Sequence, residues 1–184
     1  MITYSPVNRD NPRTQGGEIS AWGDIPTILK DILDAFNITK RDIALEFGVE
    51  YGYSTSAISN YFTKVIGVDT FTGDENCYLK ENHIEQTRGY LKEFNNIELI
   101  QSDYRDFIKD NNTMYDFIHV DIVHNYEHTY ACGEWAVQHS PITIFHDTES
   151  FFEVKQVCND LSAKYNLSFY NYPDSYGLGI LIKR

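Results

Sequence analysis

Short apolar runs rich in β-branched and aromatic residues alternate with longer amphipathic segments along most of the chain. Five of these runs end in polar residues and predict strands at 42–49, 64–71, 96–103, 115–122 and 142–148. Their nearly continuous hydrophobicity indicates strands that are covered on both faces. The segments with helical spacing lie at 54–62, 77–94, 126–139 and 151–165. Strand followed by helix, repeated, predicts a doubly wound α/β fold around a largely parallel sheet.

Both ends of the chain depart from this alternation. The last two predicted strands, 167–173 and 176–184, are separated by only two residues. Such a short link makes an antiparallel pair, because a parallel pair needs a crossover of a dozen or more residues. One reversed strand is therefore expected near an edge of the sheet. A helix is predicted over 24–36, and residues 1–23, with three glycines and two prolines, are predicted to form a mobile arm. No linker divides the chain, so 1–184 is predicted to be a single domain.

The composition is that of an ordinary globular protein, with 42% hydrophobic and 23% charged residues. No apolar run reaches the length of a membrane span and no signal-peptide pattern opens the chain, which predicts a cytoplasmic protein without a membrane partner. The net charge of −12 repels phosphate backbones and argues against nucleic acid as the main partner. Cys77, Cys132 and Cys158 are far apart and are expected to be reduced structural thiols. A homo-oligomer is left open.

Two glycines bracket a turn in LEFGVEYGYST, residues 45–55, between the first long strand and the next helix. In open parallel sheets ligands bind beyond the carboxyl ends of the strands, which is where this turn should lie. Gly48 and Gly52 do not complete the G-x-G-x-x-G dinucleotide fingerprint, and no Lys-Ser/Thr follows them as in a phosphate-binding loop. The turn therefore does not favour NAD or a nucleoside triphosphate.

The carboxylates of this turn indicate a different ligand. Glu46 and Glu50 would oppose a pyrophosphate but tolerate a cation. S-adenosylmethionine carries a sulfonium and an ammonium group and no phosphate, so it fits this turn. Asp69 ends the second strand 21 residues after Gly48, about where an acid binds ribose hydroxyls in dinucleotide folds. Asp103 ends the third strand and could reach an adenine amino group.

A family resemblance now becomes specific. The segments LEFGVEYGYST, VIGVDTF, IQSDYRDF, YDFIHVDIVHNYEHTYACGEW and ITIFHDT resemble the class I S-adenosylmethionine-dependent methyltransferases. Within that class they resemble a small-molecule and sugar O-methyltransferase branch with D-x-x-H-x-Y after the fourth strand and H-D-T after the fifth. The resemblance covers residues 42–184. It implies a Rossmann-like, seven-stranded sheet of order 3-2-1-4-5-7-6 with the last strand antiparallel.

The resemblance also implies roles for single residues. It places Glu46, Gly48 and Gly52 at the methionine part of the cofactor, Asp69 at the ribose and Asp103 at the adenine. The full predicted cofactor-binding set is Glu46, Gly48, Glu50, Gly52, Ser54, Asp69 and Asp103. Glu50 departs from the family pattern, because it stands where G-x-G-x-G has its central glycine.

A second cluster is predicted at the ends of the fourth and fifth strands. Asp121 and Asp147 end these strands, which lie about 4.8 Å apart if they are neighbours, and His124 and His146 flank them. Two carboxylates with imidazoles suit a divalent ion such as Mg²⁺ or Mn²⁺. Some related O-methyltransferases hold a metal at positions matching Asp121, His146 and Asp147, where it orients and acidifies a substrate hydroxyl. Without a metal, His124 or His146 would be the general base, a task suited to a pKa near 7. The predicted catalytic residues are Asp121, His124 and His146.

Three functions remain open at this point. The favoured one is S-adenosylmethionine-dependent methyl transfer to a small-molecule acceptor, a hydroxyl of a sugar or of another polar metabolite. HNYEH, residues 124–128, also matches the zinc-peptidase motif H-x-x-E-H, which needs both histidines on one face of a helix. The third is a module that binds S-adenosylmethionine or a nucleotide without catalysis.

Overall fold

The computed structural model describes residues 1–15, 21–73 and 81–184. The strands are β1 (Ile2–Thr3), β2 (Ile43–Phe47), β3 (Lys64–Asp69), β4 (Ile97–Gln101), β5 (Phe117–Val120), β6 (Ile142–His146), β7 (Ser168–Tyr172) and β8 (Leu178–Ile182). The helices are α1 (Ile25–Ala35), α2 (Tyr53–Ser59), α3 (Ile84–Leu91), α4 (Tyr104–Ile108), α5 (Tyr126–His139) and α6 (Phe152–Tyr165).

The strands form one sheet in the order β1-β7-β8-β6-β5-β2-β3-β4. All neighbouring pairs are parallel except those of β8, which is antiparallel to both β6 and β7. Read from the other edge and without β1, this is the predicted order 3-2-1-4-5-7-6 with a reversed last strand. The α/β, doubly wound, Rossmann-like fold class is therefore confirmed.

Successive residues of the central strands face opposite hydrophobic cores. In β2, Ala44 packs in a core with apolar residues of α1 and α2, and Leu45 packs in another with residues of α5 and α6. Both residues are fully buried. The continuous apolar runs thus mark strands with helices on both faces, as the sequence predicts.

Several boundaries differ from the sequence predictions. Helix α2 begins at Tyr53 with Gly52 as its N-cap, and not with Ser54 or Thr55 as the cap. The hydroxyl of Thr55 instead donates to the carboxylate of Glu46. Helix α3 begins later than the predicted 77–94, of which 77–80 lie outside the described residues. Strand β1 and helix α4 were not predicted, because elements of two and five residues are too short to show a period.

The N-terminal segment, residues 1–23, packs along one side of the domain in its described part. Strand β1 extends the sheet by pairing in parallel with β7. The hydroxyl of Tyr4 donates to Asp31 at 2.6 Å, and the backbone N–H of Gln15 donates to Ser56 at 2.9 Å. Trp22 is only 2% exposed. The mobility of this segment stays a prediction.

The two described cysteines, Cys132 and Cys158, are buried free thiols, and burial raises the pKa of both. Cys77 lies outside the described residues. Across the described ranges, none of the helices has the length and apolarity needed to cross a membrane.

Candidate functional site: a cavity at the carboxyl edge of the sheet

A cavity of about 900 Å³ opens beyond the carboxyl ends of the parallel strands. The glycine turn after β2 lines one part of it, the start of α4 lines a second part, and the ends of β5 and β6 line a third. This is the edge at which open α/β sheets bind their ligands. The cavity therefore joins the two predicted sites in one space.

The two glycines of the turn are required by close packing. Gly48 has φ of +87°, and a Cβ atom there would lie 1.7 Å from the carbonyl oxygen of Asp121. Gly52 has φ of +86°, and its Cβ would lie 2.6 Å from the side chain of Leu91. Gly48 lines the cavity, whereas Gly52 caps α2. The turn thus brings backbone close to the ligand space without a side chain in the way.

Asp69 holds this turn in place. Its Oδ2 accepts from the backbone N–H groups of Val49 and Glu50, both at 2.8 Å, and its Oδ1 accepts from Phe71 at 2.7 Å. Oδ1 also accepts from the Thr70 hydroxyl at 3.5 Å, a long bond that a ligand hydroxyl could replace. Asp69 also lines the cavity. It can therefore fix the turn and accept from a ligand hydroxyl at the same time.

The other predicted residues of the first site divide into two groups. Glu50 and Ser54 line the cavity. Glu46 is fully buried, and its carboxylate accepts from the Thr55 hydroxyl and lies 2.9 Å from His119 Nδ1. Glu46 thus lies below the wall of the cavity and supports the strand and helix that carry the turn.

Asp103 also lines the cavity and is already bound to a cation. It caps α4 by accepting from the backbone N–H of Arg105 at 2.8 Å, and its carboxylate pairs with the Arg105 guanidinium at 2.7 Å. The hydrogen bonds of Arg105 lower the pKa of Asp103. Tyr104 and Arg105 line the same part of the cavity.

The four residues of the second predicted cluster meet in one place. His124 Nε2 lies 2.9 Å from Asp147 Oδ2 and 3.3 Å from Asp121 Oδ1. His146 Nδ1 lies 3.3 Å from Asp121 Oδ2 and 3.4 Å from Asp147 Oδ2. Asp147 has φ of +65°, a left-handed conformation that costs free energy in a residue other than glycine. We call these four residues the acid–imidazole cluster.

The charges of the cluster stabilise one another. Burial alone would lower the pKa of His124, but hydrogen bonds with Asp121 and Asp147 raise it to about 9. Burial would likewise lower the pKa of His146, but the charge of Asp121 and hydrogen bonds with both acids raise it to about 10. Burial would raise the pKa of each carboxyl, but the two imidazoles hold both values below the usual range. The ion pairs therefore favour the charged form of each of the four residues.

These pKa values differ from the near-neutral value that suits a general base. An imidazole with a pKa of about 9 already carries its proton at pH 7, so it cannot accept another. The carboxylates remain ionised and available as acceptors.

The positions of the cluster residues can also be compared with the predicted metal site. One ligand atom each of Asp121, His124 and Asp147 lies within 4.8 Å of the others, and all three residues border the cavity. Two carboxylates and one imidazole with open positions fit a divalent ion. His124 takes the place in this set that the family resemblance gives to His146. His146 also lines the cavity and contacts both carboxylates, as partners of metal ligands commonly do.

The H-x-x-E-H motif does not form the helix face that a zinc peptidase needs. Helix α5 begins at Tyr126, so His124 precedes it. The ring of His124 stacks on Phe151, with centroids 4.2 Å apart, whereas His128 Nδ1 lies 2.9 Å from the hydroxyl of Tyr104. The two histidines thus belong to different contacts.

Several residues of the cavity wall carry no sequence signal. The ring of Trp22 lies 6.3 Å from that of His146, and it comes from a segment without a motif. Phe151 and Tyr176 also line the cavity. Phe151 follows H-D-T closely enough to suggest a place near the site, but nothing in the sequence marks Tyr176.

The comparisons agree with this geometry. Residues 45–148, more than half of the chain, match the family described as a methyltransferase domain, and the chain belongs to that family. It is thus a methyltransferase by family, as the resemblance predicts. No curated protein matches the sequence significantly.

Solved structures with the same fold include three O-methyltransferases. One is a Staphylococcus aureus protein whose description as a caffeoyl-CoA O-methyltransferase is itself an inference. It has a TM-score of 0.66 at 15% identity, and the alignment covers 92% of this chain and 86% of that chain. The O-methyltransferase from Bacillus cereus in complex with S-adenosylhomocysteine (SAH) has a TM-score of 0.61 at 16% identity, with 90% and 83% covered. A Klebsiella pneumoniae protein, whose description as an O-methyltransferase is also an inference, has a TM-score of 0.63 at 13% identity. The alignment covers 90% of this chain and 81% of that chain.

Proposed function

We propose that the chain transfers the methyl group of S-adenosylmethionine to a hydroxyl of a small polar acceptor, such as a sugar or another metabolite. The observation that carries this proposal is the single cavity that joins the glycine turn and Asp69 to the acid–imidazole cluster. Membership of the methyltransferase domain family supports it. The structure of the Bacillus cereus protein with SAH supports the choice of cofactor.

The cofactor would lie over the glycine turn. Glu50 and Asp69 give this part of the cavity negative charge, which suits a sulfonium and an ammonium and disfavours a pyrophosphate. Asp69 Oδ1, whose hydrogen bond from Thr70 is long, fits a ribose hydroxyl, and Ser54 at the start of α2 offers a hydroxyl to the methionine part. Asp103 and Tyr104 border the space left for the adenine.

The acceptor would lie at the acid–imidazole cluster. Methyl transfer is an in-line displacement, in which the bond from carbon to sulfur breaks as the bond from carbon to oxygen forms. The acceptor oxygen must therefore point at the methyl group, and much of the rate gain in such a reaction comes from positioning. Asp121 and Asp147 would accept the hydrogen bond of the acceptor hydroxyl and orient its oxygen, and the proton would pass to solvent as the bond from carbon to oxygen forms.

A divalent ion forms part of the proposal. Asp121, His124 and Asp147 would hold it, and His146 would orient the two carboxylates through its Nδ1. When bound, such an ion supplies Lewis-acid activation of the substrate hydroxyl. His124 must lose its proton to bind the ion, so binding should release protons.

The test is a panel of hydroxylated acceptors incubated with methyl-labelled S-adenosylmethionine, with Mg²⁺ or Mn²⁺ and with chelator. We expect transfer to a hydroxyl and its loss in chelator. Asp147→Asn should lower turnover at least about tenfold and leave the affinity for SAH nearly unchanged. Glu149→Gln is the matched control, because this neighbouring carboxylate bonds Lys155 and Asn171 and should leave turnover unchanged.

The other two functions predict different results. Binding of S-adenosylmethionine without transfer to any acceptor of the panel would favour the non-catalytic module. Bound zinc with peptide hydrolysis would favour the peptidase and overturn the proposal.

A further inference from the structure

The imidazole of His146 forms a hydrogen bond to a backbone carbonyl through the nitrogen that does not face the cluster. Its Nε2 donates to the carbonyl oxygen of Ser175 at 3.1 Å, while its Nδ1 faces the two carboxylates of the cluster. The residue is 2% exposed, so few other orientations are open to it. The orientation of the imidazole therefore depends on where Ser175 places its carbonyl.

Ser175 lies in a turn whose backbone conformation is strained. Ser175, Tyr176 and Gly177, between β7 and β8, have φ of +52°, +65° and +94°. Two successive left-handed residues other than glycine cost free energy and persist only where surrounding contacts fix them. The contacts that hold this turn thus also determine the orientation of His146.

The carboxylate of Asp24 makes the nearest side-chain contacts to this turn. It accepts from the Ser175 hydroxyl at 2.6 Å and from the Tyr172 hydroxyl at 2.7 Å, and it pairs with the Arg9 guanidinium. The backbone N–H of Asp24 also donates to the Ser175 hydroxyl oxygen at 3.1 Å. Asp24 precedes α1, yet its side chain makes no capping hydrogen bond to that helix.

The two residues before Asp24 pack closely against the Ser175 turn and against His146. A Cβ atom on Gly23 would lie 2.5 Å from the Ser175 hydroxyl oxygen. The preceding residue, Trp22, places its ring against those of His119 and His146, with centroid distances of 4.7 and 6.3 Å. The end of the N-terminal segment thus contacts both the turn and the imidazole that the turn orients.

We propose that Asp24 is a positioning residue: it fixes Ser175, whose carbonyl aims His146 at Asp121 and Asp147. Its role in turnover rests on the proposed function, whereas its role in orienting the imidazole does not. Loss of the Asp24 carboxylate should release the turn, weaken the hydrogen bond to His146 Nε2 and loosen the carboxylates that face the acceptor. Nothing in the motifs of the chain assigns this role.

The first experiment measures the orientation directly by NMR, on the full chain without metal or acceptor. The readout is the rate at which the Nε2–H proton of His146 exchanges with water. In Asp24→Ala we expect exchange about tenfold faster or more, the scale of one lost hydrogen bond. Ser175→Ala removes the hydroxyl that bonds Asp24, keeps a Cβ atom in the strained turn and should give the same result. Asp24→Asn keeps an acceptor oxygen and should restore much of the protection.

The matched control is Asp31→Ala. Asp31 anchors the same N-terminal segment through Tyr4 and Asn8 and makes none of the contacts to Ser175 that Asp24 makes. Exchange at His146 should be unchanged in this variant. A second readout is the affinity for Mn²⁺ and the turnover number, each expected to fall about 10-fold to 100-fold in Asp24→Ala while the affinity for SAH holds.

The outcomes separate the inference from the proposed function. Unchanged exchange in both Asp24→Ala and Ser175→Ala would overturn the positioning role. Equal acceleration in Asp31→Ala would also overturn it, since the effect would then belong to the whole segment. Faster exchange in a protein that methylates no acceptor would support the positioning role and reject only the proposed function.

Discussion

Gly48 directly follows β2, beside the end of the paired strand β5. The sequence marks it as a turn glycine, but it does not show that the neighbour is the backbone of Asp121, 73 positions later. The glycine thus serves two purposes, a left-handed turn beside the ligand space and a close approach of the strand that carries the cluster. Only the folded sheet shows the second.

Gly48→Ala should therefore destabilise the protein by at least about 1–3 kcal/mol, because a left-handed non-glycine residue is strained and the new methyl group would collide with backbone. Urea unfolding measures this. Gly89→Ala is the control, since no atom lies within 4 Å of its Cβ position in α3. Alanine there should stabilise by about 0.5–1 kcal/mol. Equal stability of the two variants would contradict the packing described at Gly48.

The raised pKa values of His124 and His146 predict a pH dependence of stability. Folding raises these pKa values from 6.5 to about 9 for His124 and about 10 for His146. Between pH 6.5 and these values the folded state therefore binds protons that the unfolded state has already lost. Their contribution is full below pH 6.5 and is lost as the pH rises through 9 to 10. Unfolding free energy in chelator should fall over this range, and less so in His124→Gln. A flat profile from pH 7 to 10 would contradict the assigned ion pairs.

At the scale of elements, β2 and β5 are also connected by hydrogen bonds at their amino-terminal ends. The carboxylate of Asp116, just before β5, accepts from the backbone N–H groups of Asp42 and Ile43 at 2.8 and 3.0 Å and pairs with Lys40 at 3.0 Å. Strand periodicity predicts both strands, but it cannot reveal which carboxylate accepts from the N–H groups at the start of β2.

Asp116→Ala should cost about 1–3 kcal/mol, since it leaves two backbone donors without their partner. Asp42→Ala is the control, because that side chain is 71% exposed and pairs only weakly with Lys40. Burial would raise the pKa of Asp116, but its hydrogen bonds lower it below 3.8. The stabilisation is therefore full above that value and should be lost in acid, where the difference between Asp116→Ala and the wild type should shrink. A constant difference down to pH 2 would exclude the ionised carboxylate as its source.

Elements with a full period of hydrophobic positions are predicted well from the sequence. Helix α5, residues 126–139, matches its predicted bounds, and the five long strands shift only at their ends. Helix α3 ends at Leu91, three residues before its predicted end. The N-cap of α2 differs because Gly52 supplies the left-handed turn that begins the helix.

At the scale of the whole molecule, the alternation of strands and helices predicts a parallel sheet, the family resemblance implies its strand order, and that order determines which strand ends meet at the site. The carboxyl ends of β2, β3, β5 and β6 meet at one edge, so acids at their ends share one cavity. The wall formed by Trp22 and Tyr176 is not predictable in this way, because both come from segments that reach the site through tertiary packing. A cytoplasmic location, the lack of a nucleic-acid partner and a homo-oligomeric state stay predictions.

The central claim is that the glycine turn binds S-adenosylmethionine and not a dinucleotide. Titration calorimetry of the full chain with SAH and with NAD tests it most directly. We predict saturable binding of SAH, weakened in Asp69→Ala by about 1–3 kcal/mol because a charged hydrogen bond to the ligand is lost and the turn loosens, and no binding of NAD. Tight binding of NAD without binding of SAH would contradict the account.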